Sequence, residues 1–365
     1  MMTTRVIAFY LPQYHEIKEN NEWWGKGFTE WTNVANAKML YKGHYQPKIP
    51  YKNNYYCLLE SKVQEWQSEI AIKSGIYGFC YYHYWFNGKL LIEKPMENML
   101  TNKNIRINFC ISWANEPWTR TWTGKDKDVL MPQRYGDKEE WECHLQYLLP
   151  FFKDERYILK ENKPVMLIYR AENVLKCREM IEYWNKRLKE FGFAGIYVLE
   201  TLTGWQKKKK IENSAGVVAM EPMHCMADGV SVICKLQHKL IRKLKLQRFG
   251  ILDEYNYDYI WKKILNKNFS QYSNFYYGGF MNWDNTARKG EKAILLRGFT
   301  IRKFKYYISR IYEKSVDEKK EYLFFNAWNE WSEGTYLEPD SMYGYGYLKV
   351  IREMIKKNGG KKNEK

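Results

Sequence analysis

An α/β fold of the (β/α)8 TIM-barrel type is what three features of this 365-residue sequence predict. Short apolar runs alternate with longer amphipathic ones along nearly the whole chain. Residues able to do chemistry follow directly after the runs. No GxGxxG or GxxxxGK[ST] sequence stands at any strand–helix turn, which argues against the alternative, a doubly wound open sheet. Eight runs in a chain of this length suit one closed barrel better than two ordinary domains. The expected organisation is a single barrel over residues 1–355, with an aromatic-rich loop insertion near its N-terminus, followed by a basic, disordered tail over 356–365.

Strands are expected at residues 5–11, 75–84, 106–113, 164–169, 195–200, 216–221, 274–282 and 321–328, and helices at 61–73, 138–152, 173–191, 231–247, 257–265, 291–313 and 347–357. The first strand runs into Tyr14 and His15, the second into His83 and Trp85, and the third into Trp113, Asn115 and Glu116. Glu200 and Glu221 close the fifth and sixth, with His224 just beyond. Trp283 and Asp284 follow the seventh, with Arg288 close behind, and the last leads into Trp328, Asn329, Glu330, Trp331 and Glu333. In a barrel these ends share one face, so the residues become candidates for one site. Two segments are longer than ordinary connections. Residues 16–60 carry Trp23-Trp24-Gly-Lys-Gly-Phe-Thr-Glu-Trp31, a block expected to form a lid or groove wall, which adds Trp31 to the candidates. Residues 230–250 contain no acid; Leu236, Leu240, Ile241 and Leu244 form a helical stripe flanked by Lys235, Lys239, Arg242, Lys243, Lys245 and Arg248. That pattern fits a barrel helix with a solvated basic face or one resting on an anionic membrane.

Aromatic residues make up 17% of the chain, with 31 Tyr and 15 Trp, and many stand at the ends of apolar runs. Such an excess suits a groove for a polar, ring-shaped ligand such as a glycan. Seven cysteines without a CxxC pair read as reduced residues of an intracellular protein. The N-terminus passes from Arg5 straight into a strand with no leader-like run, and no segment approaches the roughly 20 apolar residues of a membrane span, so the expectation is a cytoplasmic protein, soluble or peripheral. A net charge of +17 draws anionic partners. Nucleic acid is set aside because no recognition motif accompanies the charge, which leaves membrane phospholipid or a phosphate-bearing lipid carrier.

The strongest chemical signal is Glu330 with Glu333. In extended chain, residues three apart point to opposite faces, so two acids serving one pocket require the backbone to turn helical at about Trp331. That turn would bring their Cβ atoms to roughly 5–6 Å. Glycosidases keep their two carboxyls about 5–5.5 Å apart when retaining and about 6.5–9.5 Å when inverting. Trp328 and Trp331 would offer flat faces to a sugar; the plainer alternative is a surface acidic loop with two packing tryptophans. Asn115-Glu116 comes second, because an Asn-Glu pair at a barrel strand end resembles the acid/base station of the large retaining glycosidase superfamily, although Glu116 could instead cap its own loop. Asp284 with Arg288 comes third, as a substrate-orienting ion pair. His15, His83 and His224 show no HxH or HExxH spacing and are read as uncharged hydrogen-bonding groups, so no metal or other cofactor is expected. Asp126-Lys-Asp128 matches the three-residue DxD pattern of nucleotide-sugar transferases.

Four longer blocks, Phe9-Tyr-Leu-Pro-Gln-Tyr-His15, Trp23 to Trp31, Ser112-Trp-Ala-Asn-Glu-Pro-Trp118 and Ala327-Trp-Asn-Glu-Trp-Ser-Glu-Gly-Thr-Tyr-Leu-Glu-Pro339, together resemble the WbsX family. The likeness runs from residue 5 to about 350. It implies a glycosyltransferase of bacterial O-antigen, lipopolysaccharide or capsule assembly, with a domain similar to glycoside hydrolase family 99, the endo-α-mannosidases. By that resemblance Glu330 would polarise the substrate 2-hydroxyl so that it attacks its own anomeric carbon, and Glu333 would protonate the departing oxygen and then activate the acceptor. The expected substrate is an oligosaccharide or lipid-linked glycan. Endo-acting hydrolysis is the first alternative, and a non-catalytic glycan-binding barrel the second.

Overall fold

The structure, a computed structural model, describes residues 4–120, 125–204 and 214–360. Eight parallel strands form its centre: β1 (Arg5–Tyr10), β2 (Ile76–Phe86), β3 (Asn108–Trp113), β4 (Lys163–Ile168), β5 (Tyr197–Leu202), β6 (Gly216–Ala219), β7 in two pieces (Phe275–Tyr276 and Gly278–Phe280) and β8 (Tyr322–Asn326). Each strand pairs with the next, and β1 pairs with both β2 and β8. The first piece of β7 lies on β6, with Val217 opposite Phe275, and the second on β8, with Gly278 opposite Phe324. The split strand thus carries the sheet round into a barrel, as the alternating pattern predicts.

Strand alternation sorts the side chains. Tyr10 points outward and donates to Gln67 of helix α3 (Ser61–Lys73) at 2.7 Å, and Phe325 meets Phe304 of α9 (Ile301–Asp317). Their neighbours Phe9 and Phe324 turn the other way and meet side by side on the paired strands β1 and β8, Phe9 also stacking on Tyr82 at 5.6 Å. The other principal helices are α1 (Lys18–Trp24), α2 (Glu30–Ala35), α4 (Lys94–Thr101), α5 (Lys138–Phe152), α6 (Cys177–Glu190), α7 (Val232–Lys243), α8 (Tyr257–Leu265) and α10 (Gly346–Gly360).

Several expectations are corrected. The helix expected over 291–313 is a strand, Ile294–Arg297, laid parallel to Asp253–Asn256 outside the barrel, and then α9, whose first turn is capped by Thr300 accepting from Lys303 N. Gly298 at φ +88° makes the break between them, a conformation that a β-carbon disfavours. Helix α10 continues to Gly360, so residues 356–360 belong to a helix rather than to a tail; 361–365 lie outside the described residues. The hairpin of Trp118–Arg120 with Lys125–Met131 and helix α4 were not foreseen, since stretches this short carry too little periodicity.

Gly278 marks the tightest point of the ring. A β-carbon there would stand 2.0 Å from the carbonyl oxygen of Ala219 in β6, and backbone cannot swing aside as a side-chain tip can. Gly278→Ala is expected to destabilise the protein by about 3 kcal/mol, at the upper end for overpacking. Urea unfolding with a wild-type midpoint would show that β6 and β7 can part at no cost.

Candidate active site

Beyond β8 the chain leaves the sheet where the acid spacing requires. Trp331–Glu333 form one turn of 3-10 helix, closed by Gly334 at φ +61°. A β-carbon on Gly334 would meet the Asp284 carbonyl oxygen at 2.8 Å, so both its conformation and its surroundings call for glycine. The turn is held from below by Asn329, whose side chain exchanges two hydrogen bonds with the backbone of Leu11, 2.7 Å to its N–H and 2.9 Å to its carbonyl. Tyr14 donates its hydroxyl to the Asn329 carbonyl and accepts from Trp331 N at 3.3 Å.

This turn brings Glu330 and Glu333 to the same cation. Arg288 reaches Glu330 through Nη2 at 3.0 Å and Glu333 through Nη1 at 2.5 Å, and it donates to Glu30 of α2 through Nε at 2.9 Å and Nη2 at 2.6 Å. Glu30 is fully buried. One guanidinium cannot neutralise three carboxylates, and a buried surplus of negative charge is removed by holding a proton. Burial is the largest cause pushing both Glu330 and Glu333 up from the ordinary carboxyl range; Arg288 opposes it, and neighbouring carboxylates add to it. The side chain of Glu330 is the more enclosed, at 7% exposure against 21% for Glu333. Lys289 also opposes the rise at Glu333, but burial still favours a proton held within the pair, the condition under which one carboxyl can act as acid and the other as base.

The pair lies on a cavity of about 300 Å³, which Arg288, Glu116 and Gln13 also line. Its aromatic and apolar wall includes Trp24, Tyr82, Tyr84, Trp118 and Tyr169, and Met220 and Met223 come from the connection after β6. Glu116 is partly exposed and accepts from Arg170 Nε at 2.9 Å. Its neighbour Asn115 is turned away, exchanging hydrogen bonds with the backbone of Arg170.

Most other candidates support this cavity rather than line it. Trp328 and Trp331 are buried, so neither can lend a face to a sugar: Trp328 packs on Phe79, and Trp331 stacks on Tyr336 at 3.8 Å and donates to Glu338. Trp31 lies against Trp331 and Tyr14 and donates to the Tyr56 carbonyl. His83 and Trp85 point toward α5, where His83 meets His144 at 3.0 Å and Trp85 stacks on the same ring. Burial lowers His83 to about 3 and His15 to about 4, which leaves both neutral. Trp113 donates to the Trp85 carbonyl. Glu200 accepts from Ser214, Glu221 from Cys225 N at 2.9 Å, and His224 stands 3.5 Å from Glu221. Trp283 is buried beside the core. The expected pair of Asp284 with Arg288 is not formed, since Asp284 turns to His44 at 2.9 Å, Gln46 at 2.7 Å and Lys48 at 3.4 Å. Burial would raise its carboxyl, and Lys48 and His44 outweigh that to hold it below the usual range. Among the described residues no cluster of three metal-binding side chains occurs, and the Asp126 side chain of the DxD match lies outside them.

Part of what the sequence reading missed has a visible signal. Tyr82 and Tyr84 alternate with His83 and Trp85 along β2, so choosing the wrong parity exchanges the cavity wall for the helix-facing layer. Glu30, inside the Trp23 to Trp31 block, gave no such signal, because its partner is distant in sequence.

A family model described as glycosyltransferase WbsX matches residues 6–351. Proteins named WxcX from two strains of Xanthomonas campestris pv. campestris, B100 and ATCC 33913, are each 29% identical to this chain over 96% of its length. The chain spans about half the length of these curated relatives, 49% of each. Among solved structures, a family 99 endo-α-mannosidase from Bacteroides thetaiotaomicron, in complex with bis-tris-propane, superposes with a TM-score of 0.57 at 12% identity, covering 99% of both chains. A glycoside hydrolase-like protein gives 0.59 at 13% identity, over 97% of this chain and 94% of its own. At such identities the likeness concerns the fold, and it agrees with the barrel described above.

The raised carboxyls make a stability prediction. An acid whose folded value lies above its unfolded value of about 4.5 holds its proton more tightly when folded, so its contribution is present at low pH and is lost as pH rises above that value. Glu330→Gln removes the titration. Its melting temperature is expected to exceed that of the wild type at pH 8, and the gap to close toward pH 5. A gap independent of pH would show that Glu330 is ionised throughout.

Proposed function

The chain belongs to the WbsX glycosyltransferase family, and on that premise we propose that Glu330 and Glu333 together make or remodel a glycosidic bond during assembly of a bacterial surface polysaccharide, such as an O-antigen or capsule. The observation that carries this reading is the pair of carboxyls joined to one guanidinium at an aromatic-walled cavity. A volume of about 300 Å³ is at the lower end for small-molecule sites and fits a short stretch of glycan.

In the first step Glu330 takes the proton of the substrate 2-hydroxyl as that oxygen attacks the neighbouring anomeric carbon, and Glu333 gives its proton to the departing glycosidic oxygen. The product is a 1,2-anhydro sugar. In the second step Glu333 takes a proton from an acceptor hydroxyl, whose oxygen opens the anhydro ring at the anomeric carbon, while Glu330 returns its proton to O2. Configuration is retained. The assignment needs the shared proton on Glu333, whereas deeper burial favours it on Glu330 before substrate enters. Substrate reconciles the two, because a sugar covering the more exposed Glu333 desolvates it and raises its affinity for the proton. Arg288 stays between the acids and holds Glu330 ready as the base.

On this reading the substrate is an oligosaccharide or lipid-linked glycan, and the protein works in the cytoplasm, peripheral to the inner face of the membrane. Transfer is favoured over hydrolysis on the ground that the block from Trp23 to Trp31 borders the cavity, where an aromatic wall would exclude water competing with an acceptor. Within it, Trp24 lines the cavity and Trp23 meets Trp118 edge-on at 5.7 Å.

Glu330→Gln and Glu333→Gln are each expected to lower turnover at least about 100-fold while the protein stays folded. Near-normal turnover in either variant would remove that residue from the chemistry, and glycan binding by the wild type with no turnover at all would leave a glycan-binding barrel. Incubation with free and lipid-linked α-linked oligosaccharides, followed by mass spectrometry, is expected to give elongated products. Release of reducing sugar under every acceptor would instead identify an endo-acting, α-mannosidase-like hydrolase.

A further inference from the structure

Helix α7 faces the wrong way for a barrel helix. An amphipathic helix on a barrel normally turns its apolar stripe inward. Here the inward face centres on a polar contact, with Cys234 and Ile241 half-buried beside it: His238, its one buried residue, hydrogen-bonds Asp253 and stacks on Tyr255 at 3.7 Å, and Arg242 reaches the same carboxylate at 3.1 Å. Outward lie Val232, Ile233, Leu236, Leu240 and Leu244, exposed by 53 to 71%. Phe249 and Ile251 extend the patch beyond the helix.

Val232, Leu236, Leu240 and Leu244 follow one another at four-residue spacing, and so form a single row along the helix. Beside it runs a second row at the same spacing, Lys235, Lys239 and Lys243. Among the described residues none of these three lysines forms a salt bridge, residues 230–250 contain no acid, and Asp228, whose carboxyl Lys235 helps to hold low, is already paired with Lys267 at 3.3 Å. The helix belongs to the connection after β6, the same connection from which Met220 and Met223 line the cavity. It therefore grows from the face of the barrel that carries Glu330 and Glu333.

We propose that this exposed face of α7 docks the protein on an anionic phospholipid bilayer, with the leucine row entering the interface and the lysine row lying on the headgroups. The charge pattern selects this occupant. Pairing with a second copy across a two-fold axis would bring two unneutralised lysine rows together, whereas an anionic surface compensates them. A bilayer also accepts a convex apolar row without a matching groove. The inference deepens the membrane-side setting proposed above by naming the surface that meets the lipid, and it rests on that reading only for the purpose docking would serve.

The test uses the purified full chain and sedimentation with vesicles of phosphatidylcholine alone or mixed with phosphatidylglycerol at a few molar parts to one. Binding is expected to the mixed vesicles, at least about 10-fold tighter than to neutral ones, and to weaken with salt. Replacing Lys235, Lys239 and Lys243 together by Ala should weaken it about 100-fold, at roughly fivefold for each lysine. Leu236→Ser with Leu240→Ser should weaken binding to both kinds of vesicle, and because these side chains are already exposed the melting temperature should hold. Equal partition onto neutral and anionic vesicles, or no binding to either, would overturn the proposal. So would a concentration-dependent dimer that the serine variant dissolves, since that makes a second copy the occupant. Binding is read without turnover, so failure here leaves the glycan reading standing, and inactivity on glycans leaves a positive vesicle result standing.

Discussion

Arg288 is set among Glu30, Glu330 and Glu333, and the arrangement of the candidate site depends on that crowding of acids about one guanidinium. Each carboxylate would be costly to bury alone, and together they would repel. The guanidinium, a planar fork with donors on several edges, can satisfy all three at once where a lysine ammonium would act only as a point charge. To put it there, three distant parts of the chain must converge: α2 from the N-terminal insertion, the turn after β7, and the turn after β8. Supporting bonds between backbones hold them in register, such as Asp284 N to the Glu333 carbonyl at 2.7 Å. The site thus ties the insertion to the end of the barrel.

Around this centre the aromatic residues divide by function. Those that stack closely, such as Trp331 on Tyr336 and Trp31 on Trp331, form a rigid layer beneath the acids. Glu338 is buried within it, accepting from Trp331, Gln67 and Tyr56, and burial raises it to about 7 even against those donors. A second set, Tyr82, Tyr84, Tyr169, Trp24 and Trp118, lines the cavity. The first set holds the carboxyls in place, and the second presents flat surfaces of the kind a sugar ring packs against. An excess of tyrosine and tryptophan therefore serves two purposes, which composition cannot separate.

Charge is distributed by the same logic. Asp284 looks from the sequence like a partner of Arg288, four residues on, but it pairs with the buried Lys48 and hydrogen-bonds His44 instead. The basic surplus is left outside, and on α7 it lies beside an apolar row that no other part of the described chain covers.

Strand and helix periodicity was legible because it is local: a parallel strand covered on both faces must be apolar throughout, and the eight runs and their order follow from that. The placement of Glu330 and Glu333 at the end of β8 was legible too, since Phe324 and Phe325 mark the strand and Gly334 its turn. Only the tertiary structure decided which face each strand-end residue takes. Tyr82 and His83 are neighbours with the same apparent claim on the site, and the difference between them is set by the register of β2 against β1 and β3. Only the fold brought Glu30 to Arg288 across 258 positions, because a charge that is buried chooses its partner by proximity in space, and sequence spacing carries no record of that distance.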